Sequence, residues 1–124
     1  METYKAGEIV WTDLTIPNAE EVKDFYTQVL GWKSSPLSMG GYNDYMIATP
    51  EGKPVAGVCH ARGSNASLPA QWLIYVAVED VAASAHACEA KGGKVIDGPR
   101  KMGGKDFAVL QDPAGAVLAI ISIK

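Results

Sequence analysis

Apolar and polar residues alternate from Ile9 to Ile16, which is strand periodicity. Val10, Thr12, Leu14 and Ile16 share one side, and Ile9, Trp11, Asp13 and Thr15 the other. Pro17-Asn18 ends this strand. The spacing then becomes helical through Val22, Phe25, Tyr26, Val29 and Leu30, with Phe25 and Tyr26 expected in the core. Asn18 is the expected N-cap, with Glu20 and Glu21 in the first turn, and Gly31 suits the left-handed stop. Three more strands follow, at Trp32 to Leu37, Tyr42 to Thr49 and Pro54 to His60. Arg62 to Pro69, rich in Ser, Gly and Asn, reads as a linker. The order then recurs. Gln71 to Val78 is a strand, with Trp72 on the side that packs under a helix. Asp80 caps a helix through Val81, Ala85 and Cys88, and Gly92-Gly93 stops it. Lys94 to Asp97, Lys105 to Leu110 and Ala116 to Ile123 are strands. Gly98 to Gly104 reads as a mobile loop, and Ser38 to Gly41 as a turn free to move with it.

The recurrence is a repeat of pattern at an offset of 62 residues. Trp11 falls on Leu73, Asp13 on Tyr75, Asn18 on Asp80, Tyr45 on Phe107, Ile47 on Val109, and Gly57 on Ala119. Thr49-Pro50-Glu51-Gly52 matches Asp112-Pro113-Ala114-Gly115 after a slip of one residue. The expected fold is therefore α+β: two βαβββ units related by a pseudo-twofold axis, whose sheets enclose a cleft. Unit one runs over 8–60, the linker over 61–70 and unit two over 71–123, in one domain, 1–124.

Composition narrows the function. A chain of 124 residues with 48% apolar and 20% charged residues is that of a soluble globular domain. No apolar run reaches membrane-span length, and Met1 to Lys5 lacks a secretory h-region. A net charge of −3 without a basic stripe argues against nucleic acid. Cys59 and Cys88 have no metal-like spacing, and reduced thiols in the cytoplasm are the simplest reading.

The helix Ala19 to Leu30 ending in Phe25-Tyr26-Thr27-Gln28-Val29-Leu30-Gly31-Trp32, with Val78-Glu79-Asp80-Val81, Gly92-Gly93 and Asp112-Pro113-Ala114-Gly115, resembles the vicinal oxygen chelate superfamily. That superfamily includes glyoxalase I, the bleomycin resistance proteins and the extradiol dioxygenases. The opening Trp11-Thr12-Asp13-Leu14 is most similar to a glyoxalase-like subgroup. The resemblance covers nearly the whole chain. It implies a curved mixed sheet around a ligand cleft, usually in a homodimer.

Metal-dependent members take their ligands from the first and last strand of each unit. Those positions fall on Trp11, Gly57, Leu73 and Ala119, and none of these side chains can ligate a divalent ion. A slip of one residue gives Thr12, Val58, Ile74 and Ile120, which is no better. His60, His86, Asp13 and Glu8 remain, but His60 reads as a rim residue and His86 as a helix-surface residue. No metal and no other cofactor is expected.

The expected ligand-binding set is Trp11, Asp13, Thr15, Gly57, Cys59, Leu73, Tyr75 and Ala119. Trp11 offers a flat wall for an aromatic or cationic molecule, or else plugs the vacated metal position. Asp13 suits a ligand cation or donor, or else is tied up in a buried hydrogen bond. Two functions follow. The first is a glyoxalase- or bleomycin-resistance-like protein that binds a small aromatic or cationic molecule without the classical metal. The alternative is a glyoxalase-like lyase, isomerase or other enzyme with Asp13 as general base.

Overall fold

In the computed structural model, which describes residues 3–124, eight strands and two α-helices form an α+β fold. In chain order these are β1 (Ile9–Ile16), α1 (Ala19–Leu30), β2 (Lys33–Ser38), β3 (Asn43–Ala48) and β4 (Pro54–His60), then β5 (Trp72–Val78), α2 (Val81–Ala90), β6 (Lys94–Met102), β7 (Lys105–Gln111) and β8 (Val117–Ser122). The βαβββ order thus occurs twice. A 3₁₀ turn at Gly63–Asn65 lies in the expected linker. None of the described helices is long and apolar enough to cross a membrane.

The chain divides into two compact units. One is Thr12–Trp72, and the other is Leu73–Lys124 with the segment that ends at Trp11. In the Thr12–Trp72 unit the strands lie in the order β2-β3-β4-β1. β1 runs parallel to β4, and the other neighbours are antiparallel. α1 covers one face because the alternate residues of three strands are apolar there. Leu14, Ile16, Tyr45, Ile47, Ala56 and Val58 form the buried core with Ala19, and Val22, Tyr26, Trp32 and Trp72 pack against it. Each such aliphatic side chain contributes roughly 1.5–3 kcal/mol by leaving water. Trp72 packs against α1 as expected, its indole N–H donating to the Tyr26 hydroxyl at 3.1 Å.

In the second unit β5 runs parallel to β8, and β8-β7-β6 follow antiparallel. The segment before β1 is tied to β5: Gly7 N–H donates to the Ala77 carbonyl at 2.8 Å, and Ala77 N–H to the Glu8 carbonyl at 2.9 Å. Val81 of α2 forms a buried cluster with Ala108 and Ile120, flanked by Val78, Leu110 and Leu118. Just beyond α2 the backbone closes on β7. A Cβ on Gly93 would sit 2.8 Å from the Gln111 carbonyl oxygen, so only glycine fits.

Four expectations change. Asn18 makes no side-chain cap bond; its amide donates instead to Glu21 Oε1 at 3.1 Å. Phe25 is 57% exposed, Val29 60% and Leu30 51%, so the apolar stripe of α1 is wider than the core can cover. Gly98 to Met102 is not a mobile loop. It belongs to β6, which pairs with β7 through two register shifts, between Val95 and Asp97 and between Asp97 and Arg100. β-Bulges of this kind absorb extra residues without ending the strand.

The fourth change concerns the repeat. Asp13 opposes Gly57 and Tyr75 opposes Ala119, so the parallel pairs keep the 62-residue offset. The antiparallel pair does not. Tyr45 opposes Val58, whereas Ile120 opposes Ala108 and not Phe107. Side chains alternate in a strand, so a shift of one residue reverses the face. Tyr45 and Ile47 point at α1. Phe107 and Val109 share the face of Ala119, away from α2. The slip seen at the Asp112-Pro113 turn therefore begins upstream of β7, in the bulged β6.

Candidate functional site

In the Thr12–Trp72 unit the face turned away from α1 carries Asp13 and Thr15 of β1. Opposite them stand Gly57 and Cys59 of β4. Met46 opposes Gly57, and alternation along β3 adds Asp44. Four expected residues thus stand together. Gly57 and Thr15 are buried, and Asp13 and Cys59 half-buried. Asp44 and Met46 were not foreseen. Asp44 is only 8% exposed and accepts the His60 backbone N–H at 2.9 Å.

The electrostatics of this face center on Cys59. Burial, then the negative charges of Asp13 and Asp44, and a hydrogen bond to Asp44 push its thiol far above the ordinary cysteine range. This holds the Cys59 thiol in its neutral S–H form, which can donate to Asp44. The face presents two carboxylates around a small polarizable group. This arrangement suits a ligand that offers a cation or hydrogen-bond donors.

His60 takes the other side with Val58 by alternation. Its Nδ1 lies 3.5 Å from Asp44 Oδ1, and its ring meets Tyr42 edge-on at 5.5 Å. Arg62 stacks on the outer part of this group, 3.9 Å above the Tyr42 ring. On the same side an open pocket of about 540 Å³ is lined by Asn18, Glu20, Glu21, Asp24 and His60. It is acidic and broad, and its walls are helix surface.

Trp11 stands two residues before Asp13 on β1 and is half-buried. The remaining expected residues belong to the second unit. Leu73, Tyr75 and Ala119 are buried there, and Tyr75 and Ala119 are direct neighbours across β5 and β8. Tyr75 stacks on Phe107, with ring centroids 5.7 Å apart. The guanidinium of Arg100 lies 4.9 Å from the Phe107 centroid. Sequence patterning missed Arg100 because the bulges that aim it leave no signal in hydrophobic periodicity.

The positions expected from the superfamily resemblance to ligate a metal, Trp11, Gly57, Leu73 and Ala119, carry an indole, a hydrogen atom, an isobutyl group and a methyl group. These offer no donor pair, so the residues do not fit the classical metal. Among the described residues, no group of three or more His, Cys, Asp and Glu side chains is placed to hold an ion. His86 is exposed on α2, and Glu8 is exposed and accepts the Lys5 N–H.

Comparison with known proteins places this geometry in a family. The chain is 32% identical to the anthracycline biosynthesis protein DnrV of Streptomyces peucetius, over 97% of this chain and 48% of the relative. It is 28% identical to the putative glyoxylase CFP32 of Mycobacterium tuberculosis, over 94% of this chain and 44% of the relative. The chain therefore spans about half the length of these curated relatives. Among solved structures, a Streptomyces coelicolor methylmalonyl-CoA epimerase shares the fold with a TM-score of 0.57 at 18% identity, covering 95% of this chain and 98% of the epimerase. The hypothetical protein BH1468 of Bacillus halodurans C-125 gives a TM-score of 0.63 at 14% identity, covering 97% and 96%. Residues 8–120 match the profile of the Glyoxalase/Bleomycin resistance protein/Dioxygenase superfamily, and the chain belongs to that superfamily.

Proposed function

We propose that the protein binds a small planar aromatic molecule carrying a cationic or hydrogen-bond-donating group, without the classical metal of its superfamily. The observation that carries this reading is the pair of carboxylates, Asp13 and Asp44, beside the protonated Cys59 thiol on one sheet face. An aromatic ligand is favoured by Trp11, two residues before Asp13 in the alternation of β1, and by the likeness to an anthracycline biosynthesis protein. Thr15 supplies a hydroxyl on the same face, and Gly57 adds no side chain beside Asp13. Leu73, Tyr75 and Ala119 remain part of the proposed binding set. The ligand meets an acid and an aromatic wall, and no Lewis acid is needed to hold it.

The molecule acts as a homodimer on this reading, in the cytoplasm. The exposed Phe25, Val29 and Leu30 of α1 support a second copy, since a single chain leaves them in water. Free cysteines at Cys59 and Cys88 support a reducing compartment.

Titration with a planar aromatic amine such as 9-aminoacridine, followed by tryptophan fluorescence, tests the site. Asp13→Asn is expected to weaken binding at least tenfold with folding intact. Trp11→Ala is expected to weaken binding as well. If Trp11 is a plug, its removal instead lowers stability by roughly 3–5 kcal/mol and leaves affinity unchanged. Equal affinity in wild type and Asp13→Asn sinks the proposal. Turnover of a substrate that Asp13→Asn abolishes, with binding retained, would favour general-base catalysis instead.

A further inference from the structure

The second unit carries a charged group that the proposed function does not use. Asp97 opposes Val109, and Arg100 opposes Phe107. Residues three apart on a regular strand face opposite sides. Here the register shift between Asp97 and Arg100 brings both onto one face, together with Phe107, Tyr75 and Ala119. Bulges recur where a strand must re-aim a side chain.

The guanidinium is held on two sides. Asp97 engages Nε at 3.1 Å and Nη2 at 2.8 Å. The Phe107 ring supports it at 4.9 Å. Phe107 is itself fixed by Tyr75, 5.7 Å away. The bonds to Asp97 use Nε and Nη2 and do not engage Nη1. The Arg100 side chain is 35% exposed and Asp97 only 14%, so the cation is the more open to solvent of the two. A guanidinium fixed along one edge and one face is pre-organised, and it loses little freedom on meeting an anion.

We propose that Arg100 is an anion-binding residue, which receives the carboxylate or phosphate monoester of a small organic molecule through Nη1. Asp97 and Phe107 are positioning residues for it. The inference stands on the second unit alone and does not depend on Asp13.

Benzoate, phenyl phosphate and neutral benzamide, titrated to millimolar concentration into the ¹⁵N-labelled full chain, provide the test. Saturable shifts of the Arg100 Nε–H signal and of the Tyr75 and Phe107 amides are expected with benzoate or phenyl phosphate, and the tighter of the two identifies the anion. Benzamide should produce none. Arg100→Gln should weaken anion binding at least tenfold, and Arg62→Gln should leave it unchanged. If Arg100→Gln loses its dispersed spectrum, Arg100→Lys carries the test. It keeps a charge for Asp97 but lacks the fork, and should still weaken binding severalfold. Absence of saturable shifts, equal response to benzamide, or wild-type affinity in the Arg100 variant that folds would assign the Asp97–Arg100 pair to structure alone and overturn the proposal.

Discussion

Cys59 illustrates how one side chain acquires its properties from neighbours far apart in sequence. Its thiol is kept protonated by burial and by Asp13 and Asp44. The sign for stability follows from linkage. The folded value lies above the unfolded one, near 8.5 for a free cysteine. The contribution is therefore fully present below that pH and is lost as pH rises toward the folded value. Urea titrations from pH 7 to 10.5 should show wild-type stability falling more steeply than that of Cys59→Ala. Parallel pH profiles would refute this. The strand pattern identified Asp13, Thr15, Gly57 and Cys59 as one face. It did not reveal Asp44, because an acid in a short edge-proximal strand looks like a solvated residue. Only the pairing of β3 with β4 puts it beside the thiol.

Helix signals were legible where a cap is local and misleading where two local bonds compete. Asp80 accepts the Ala83 N–H at 3.0 Å, as its position predicts. Asn18 has the same type of side chain but spends it on Glu21. Asp80→Ala should therefore cost about 1 kcal/mol, the usual value of a lost N-cap. Asn18→Ala should cost much less. Thermal unfolding of the two variants separates them, and equal losses would contradict the cap assignment. The end of α1 was also legible: Gly31 adopts φ 72° and donates to the Thr27 carbonyl. β6 was not. Gly98, Pro99 and Gly103-Gly104 are loop residues by type, yet pairing with β7 carries the strand through to Met102. Its outer-edge position suits this composition, because Pro99 and the bulges discourage pairing with another chain. Pro36 stands in the same way on β2.

At the scale of the molecule, the two βαβββ units were readable from the repeat, since offset and strand count follow from periodicity. Which side chains would leave the core was not, because helical spacing alone cannot tell how wide a face the sheet can cover. Phe25, at 57% exposure, is the clearest case. If a second copy covers it, light scattering at micromolar concentration should give twice the chain mass of 13.1 kDa. Phe25→Asp should shift that mass toward one chain without loss of secondary structure. A monomeric wild type would refute the dimer. A dimer unaffected by Phe25→Asp would put its interface elsewhere.

The displaced register of β7 bears on how such a molecule changes through time. The two units do not present matching chemistry. Where one directs Tyr45 inward, the other directs Ala108, and Phe107 is left to support Arg100. One residue gained in the bulged β6 and one given up before β8, which returns to the 62-residue offset, displace the whole strand between them. No substitution is needed, and the buried side stays apolar because Ala108 and Leu110 take it over. In a fold of two like units, a gain and a loss of one residue on either side of a strand are thus enough to give one unit a different ligand chemistry while its scaffold stays intact.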